Sequence, residues 1–343
     1  MAKTIGGFLP LQLPDAPARH AGFLSLWGIR KDNSLLFHNA RSALHHLLKS
    51  LDTRKLWLPA YVCRSVVDAT ARTRADVAFY PVAHALTPDV DVLARRLAPN
   101  DCVLAIDYFG RNPAREFLRL VETRRDVTWI EDRAQAMRPA REPWGDWILY
   151  SPRKLLGVPD GGILVRRRGP RLARPAKSLP LQALDFMEPS ILRFEDQDDV
   201  GNKVWREAYV RSEKEMRVSA LPMSRLTRVL LGAVQPQRVV SARKANYRFL
   251  WSHLKEIALF DGAPGTFVPM VFPIRVEVDA GRLAKSLVRQ RVFAQRHWLD
   301  LPSDPRRFPA EHDLSRHLLS LPCDQRYSEK DMAFVVKCVS GAL

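Results

Sequence analysis

Short apolar runs alternate with helix-length amphipathic segments between residues 56 and 130, and this alternation restricts the fold more than any other feature of the chain. Leu56-Trp57-Leu58 and the runs at 77–80, 103–106 and 127–130 read as strands. Segments 62–72, 90–97 and 115–123 read as the helices between them. Another helix precedes them over 42–51, with apolar residues at 43, 44, 47, 48 and 51 on one face. Parallel neighbours need a crossover of about a dozen residues, usually a helix. The pattern therefore predicts an α/β domain around a mostly parallel sheet.

The pattern changes after residue 170. A loop-rich stretch leads to a helix over 224–234 and a longer one over 236–254, which begins with Pro236, well placed in a first turn. Val240, Tyr247, Leu250, Trp251 and Leu254 share one face of it. A strand over 269–278 and helices over 280–290 and 328–343 complete a smaller α+β unit. The expected organisation is an N-terminal arm (1–35), a large domain (36–235) and a small C-terminal domain (236–343).

Composition narrows the function classes. The cysteines Cys63, Cys102, Cys323 and Cys338 show no C-x-x-C spacing, so neither a disulfide scaffold nor a zinc site is indicated. No run is long and apolar enough to span a bilayer, and the first 20 residues lack a secretory pattern, so a cytoplasmic location is expected. The net charge of +17 suggests anionic partners. Its densest run, from Arg166 to Lys177, contains no aromatic residue for base stacking and reads first as a solvated loop after a strand. Nucleic acid is thus a weak expectation beside phosphorylated small molecules.

In an open parallel sheet, ligands bind beyond the carboxyl ends of the strands. Asp132 stands at such an end in WIEDRAQAM, with Gln135 three residues later. Ser151 ends the apolar run 147–150, and Lys154 follows before Asp160-Gly161-Gly162 leads into the run 163–165. Asn39-Ala40-Arg41-Ser42 opens the first helix, where free N–H groups suit a phosphate. Each piece alone has an ordinary meaning: a turn carboxylate, a solvated lysine, a helix start. Together they supply what pyridoxal phosphate (PLP) requires: a lysine for its aldehyde, an acid for its ring nitrogen and a phosphate seat. The S-x-x-K spacing also occurs in serine β-lactamases, but the companion S-D-N and K-T-G motifs are absent. Walker, G-x-G-x-x-G and H-E-x-x-H motifs are absent too, and the spacing of His312 and His317 suits a helical metal pair poorly.

From residue 36 onward these segments resemble the DegT/DnrJ/StrS family of PLP-dependent sugar aminotransferases. NARSALHHLLKSL is similar to the family's first helix, LPAYVCRSVVDA to its P-x-x-aromatic segment, and IDYFG to a strand ending in an aromatic and glycine. IEDRAQAM is close to its E-D-x-A-Q-A, GDWILYSPRKLLGVPDGGILV to its lysine segment, RKANYRFLWSHL to its interdomain helix, and LLSLPCDQRYSEKDM to its final segment. The resemblance implies fold type I: a large α/β/α domain with a mostly parallel sheet, plus a small α+β domain. It also implies roles. Lys154 would bind the cofactor aldehyde and move the proton, Asp132 would pair with the ring nitrogen, and Gln135 would contact the ring or its 3-oxygen. Ser151, with the backbone at Arg41 and Ser42, would hold the phosphate, and Tyr61 would stack on the ring.

Two departures stand out. The serine-to-lysine gap is shorter than in many members. EKEMRVSALPMS (213–224) also lacks the asparagine that reaches a partner subunit's cofactor. The resemblance implies amino transfer, with glutamate as donor, to a keto group of a sugar, nucleotide-linked by family habit, in a homodimer. A PLP enzyme acting on a non-sugar carbonyl is the first alternative. A basic nucleic-acid or anionic-surface binding protein with a degenerate enzyme fold is the second.

Overall fold

The computed structural model describes residues 3–14, 22–82, 85–111, 113–137, 142–180, 185–196, 203–265 and 267–343. Part of the arm expected over 1–35 lies outside them. Among the described residues a seven-stranded sheet has the spatial order Ser34–Phe37, Gly162–Arg166, Trp147–Tyr150, Thr128–Arg133, Cys102–Ile106, Lys55–Pro59, Asp76–Tyr80. The strands from Trp147–Tyr150 to Asp76–Tyr80 run parallel, as the alternation predicts. Gly162–Arg166 runs antiparallel to both its neighbours. Cys102–Ile106 is buried along its whole length because both faces of the sheet are covered. Helix Arg115–Thr123 covers one side with Phe117 and Val121.

Helix Ala40–Ser50 buries Ala43, Leu44, Leu47 and Leu48, the stripe read from the sequence. The helix expected over 62–72 is shorter, Arg64–Asp68. The hydroxyls of Thr70 and Thr73 bond to the carbonyls of Val67 and Thr70, and Arg72 takes a positive φ of 60°. These local bonds compete with the helix and end it.

A second apolar core lies between helix Pro236–Leu254, helix Glu329–Ser340 and the antiparallel pair Phe272–Arg275 with Leu318–Leu321. The strand expected over 269–278 shrinks to Phe272–Arg275. Helix Pro236–Leu254 has the expected bounds, but its buried stripe includes Arg243 and Asn246, two polar residues that apolar periodicity does not mark. The first residues tie the cores together. Ile5–Gly6 pairs with Val292–Phe293, Gln12 N–H donates to Gly157 O (2.7 Å), and Trp27 stacks on Tyr150 at 4.9 Å.

Candidate active site

A cavity of about 990 Å³ opens beyond the carboxyl ends of the parallel strands. Ala40, Arg41, Asp132, Ser151 and Lys154 line it, together with residues of the second unit. The topology explains the convergence. Asp132 pairs in register with Leu149, two residues before Ser151, and Phe37 pairs with Gly162. The carboxyl ends of three strands and the entry to helix Ala40–Ser50 therefore meet at one rim.

The pleat aims Asp132 at the cavity. Its Oδ1 accepts from Ala134 N–H at 2.8 Å, while Oδ2 has no hydrogen-bond partner among the described residues. Burial pushes this carboxyl above the usual range, against the opposing pull of the Lys154 charge and the Ala134 N–H. Ser151 opens a single 3₁₀ turn, Pro152–Lys154, in which Lys154 N–H donates to Ser151 O at 3.1 Å.

The double glycine has a steric reason. Gly161 has φ +129°, a region glycine alone enters freely, and a Cβ on Gly162 would collide with the backbone of Asn39. The strand after the lysine loop thus presses against the start of helix Ala40–Ser50. Asp160, beside it, accepts from Ser224 N–H (2.7 Å) and from the hydroxyls of Ser224 and Thr227, which anchors helix Arg225–Ala233 to the loop.

At the helix start, Asn39 Oδ1 accepts from Ser42 N–H at 2.7 Å. Ser42 Oγ accepts from Ser219 N–H at 3.1 Å. Ser42 therefore already has partners for the groups expected to hold an anion. Ala40 N–H faces Gly161 O in the bridge between Asn39 and Gly161, which leaves the N–H of Arg41 as the first-turn donor with no intrahelical acceptor, and Arg41 lines the cavity.

Gln135 and Tyr61 lie one layer back. Gln135 Oε1 accepts from Phe109 N–H at 3.0 Å, while its Nε2 is buried without a partner. Tyr61 is fully buried, with Tyr108 and Trp298 at ring distances of 6.1 and 5.6 Å. Trp298 reaches the cavity wall; Tyr61 does not line it.

Three further wall residues escape a reading from sequence. His297 is buried, with Nδ1 2.9 Å from Ser320 Oγ. Burial, and then the nearby Lys154 charge, pull its pKa down to about 3, so the ring is neutral. Arg153 pairs with Glu213 at 2.7 Å. Burial pushes the Glu213 carboxyl up, but Arg153, Lys154 and Arg41 outweigh it and hold the carboxyl below its usual range. No spacing rule connects positions 153 and 213, or 154 and 297.

No protein-family description matches the sequence, and no curated protein does. Solved structures do match. The aminotransferase TlmJ from Streptoalloteichus hindustanus is 19% identical with a TM-score of 0.68, covering 99% of each chain. The putative sugar aminotransferase Spr1654 from Streptococcus pneumoniae, in its PMP form, is 14% identical with a TM-score of 0.70, covering 98% of each. S. venezuelae DesV, in complex with a ketimine intermediate, is 17% identical with a TM-score of 0.66, covering 93% of this chain and 86% of that one. At such identities the likeness is one of architecture: this chain has the fold of the sugar aminotransferases, the fold type I arrangement expected from its sequence.

Proposed function

We propose that the chain is a PLP-dependent aminotransferase that moves an amino group, with glutamate as the expected donor, to a keto group of a sugar. The observation that carries this reading is the convergence of Lys154, Asp132 and the first turn of helix Ala40–Ser50 on one cavity. The residues fit the cofactor. Asp132 Oδ2 has no hydrogen-bond partner among the described residues, Lys154 and Ser151 stand on the same wall, and Arg41 offers an N–H group. When bound, PLP supplies an aldehyde and an electron-accepting ring.

The chain's own groups then have distinct work. Lys154 offers its amine to the aldehyde and, as a free base, takes and returns a proton at Nζ. Asp132 holds a proton on the ring nitrogen, and its charged form is favoured by the Lys154 ammonium. Arg41 and Ser151 would hold the phosphate. His297, being neutral, adds no positive charge beside Lys154. The basic wall, with Arg41, Arg64 and Arg296, suits an anionic acceptor such as a nucleotide-linked sugar. The proposed assembly is a homodimer, on the strength of the family resemblance, and light scattering tests it.

The decisive experiment loads pyridoxamine phosphate and screens keto compounds for its return to pyridoxal phosphate. Return with nucleotide-linked keto sugars is the expected result. Return only with non-sugar carbonyls would overturn the acceptor class, and no return with any carbonyl would overturn the activity.

A further inference from the structure

We propose that Arg243 is a positioning residue that clamps the loop carrying Lys154, so that the second unit of the fold fixes the reacting amine. This rests on the role of Lys154 given above. Arg243 lies on helix Pro236–Leu254 and is 1% exposed. Its guanidinium reaches three separate segments. Nη2 donates to Leu155 O at 2.8 Å, Nη1 to Met270 O at 2.8 Å and Pro269 O at 3.1 Å, and Nε to Gln325 Oε1 at 2.8 Å. Leu155 is the residue after Lys154.

The same short loop is gripped from other sides. Gln325 Nε2 donates to Leu155 O (3.3 Å) and to Gln12 Oε1 (2.9 Å). Gln12 N–H donates to Gly157 O, and a Cβ on Gly157 would collide with Pro10 O. The segment after Lys154 is therefore held by bonds from the arm, the long helix and residue 325. Beyond the 3₁₀ turn, no regular element of its own supports it.

The chemistry of the clamp explains why arginine stands there. A buried cation is costly unless it is paired or fully hydrogen-bonded. Among the described residues no carboxylate lies within ion-pair distance of Arg243, and burial pulls its pKa down. Neutral oxygens take up its donors. A planar fork reaches several of them at fixed angles, whereas an ammonium on a flexible stem cannot span the same set. Because Arg243 also lines the cavity, the loop and the cavity wall share one anchor. Productive geometry tolerates only about half an ångström of error, so loosening this anchor misplaces Nζ without removing it.

The test uses the full chain and the variants Arg243→Lys and Gln325→Ala. The latter removes one of the Arg243 acceptors without touching the helix. Two rates are read. The first is hydrogen exchange at the amides of Leu155, Leu156 and Val158 in protein without cofactor. The second is borohydride trapping of pyridoxal phosphate on Lys154, relative to trapping on surface lysines. The expected result for Arg243→Lys is exchange at these amides about tenfold faster and trapping on Lys154 about tenfold slower, with exchange in helix Glu329–Ser340 unchanged. Gln325→Ala gives the same shifts, smaller. Unchanged exchange and trapping at the loop in folded variants would overturn the clamp. So would a loosening spread evenly over the second core with normal trapping on Lys154. If the parent protein is not labelled on Lys154, the active-site reading fails instead, and the exchange rates still decide whether Arg243 holds the loop.

Discussion

Glu131 and Asp132 are adjacent on strand Thr128–Arg133 and both are buried, yet they point to opposite faces of the sheet and meet opposite chemistry. On the back face Glu131 is saturated. It accepts from Arg133 Nε at 2.6 Å and from the N–H groups of Trp144 and Gly145 at 2.9 and 3.0 Å. Arg133 in turn reaches Asp107 at 3.5 Å and donates to the Tyr150 hydroxyl at 3.0 Å. Burial pulls the Arg133 pKa down, but Tyr150, Glu131 and Asp107 outweigh it and keep the guanidinium charged. On the cavity face Asp132 has one backbone partner, and among the described residues its other oxygen has none. Both Glu131 oxygens are taken by fixed donors, whereas Asp132 keeps one oxygen without a partner on the cavity wall. The two-residue period of the strand separates them.

The largest expected effect lies on the cavity face. Lys154→Ala removes the amine and should lower turnover by about 10³–10⁴-fold. The melting curve should move little, because the side chain lies in a loop at the cavity wall. Borohydride trapping should lose the label on the peptide containing residue 154. A label elsewhere, or retained turnover, would show that the cavity face is not the reacting one.

Glu131→Gln attacks the back face. Removing one member of a buried ion cluster leaves Arg133 with Asp107 as its one carboxylate there and turns an amide NH₂ toward the donors Trp144 N–H and Gly145 N–H, which should cost about 3 kcal/mol of stability. Denaturant unfolding reads this directly. Whatever fraction folds should still bind the cofactor. A stable variant that cannot bind it would erase the contrast between the faces.

Asp132→Asn should behave the other way. Turnover should fall about 10²–10³-fold, because an amide cannot hold the ring-nitrogen proton as a carboxylate does. Stability at neutral pH should stay level or rise. The Asp132 carboxyl lies above its unfolded value, so its ionisation opposes folding as pH rises through that window. A functional residue bought at the expense of stability is the expected pattern for a site. Single-turnover rates and unfolding curves on the same sample separate the two effects.

Much of this contrast was legible in the sequence, but not all of it. The parallel sheet follows from apolar runs spaced by helices, Asp132 and Ser151 follow because they stand just beyond apolar runs, and Lys154 because it lies in the short loop between two such runs. Ser42 shows where local reading stops. Its N–H belongs to Asn39, an ordinary capping residue, and Ala40 N–H faces Gly161, so of these first-turn groups only Arg41 N–H stays available for the proposed phosphate seat. The short strand Leu318–Leu321 and the positions of His297 and Arg243 depend on partners far along the chain. Arg243 meets residues 155, 269, 270 and 325, and no window of sequence contains that set.

The smallest effect separates how the faces treat charge. The back face keeps Arg133 ionised, whereas the cavity face keeps His297 neutral, with a folded pKa of about 3 against an ordinary value of 6.5. His38, buried beside the entry to helix Ala40–Ser50, is lowered to about 4, chiefly by burial. Between these values and 6.5 the unfolded chain takes up protons that the folded chain does not. Stability is therefore full above pH 6.5 and falls as the pH drops through the window, by at most about 1.4 kcal/mol per pH unit for each histidine. His297→Gln removes one proton from the balance and should flatten the slope of unfolding free energy between pH 6 and about 4 by that amount. The slope contributed by His38 should remain. An unchanged slope would mean that His297 is already protonated beside Lys154, and that the cavity face tolerates charge as the back face does.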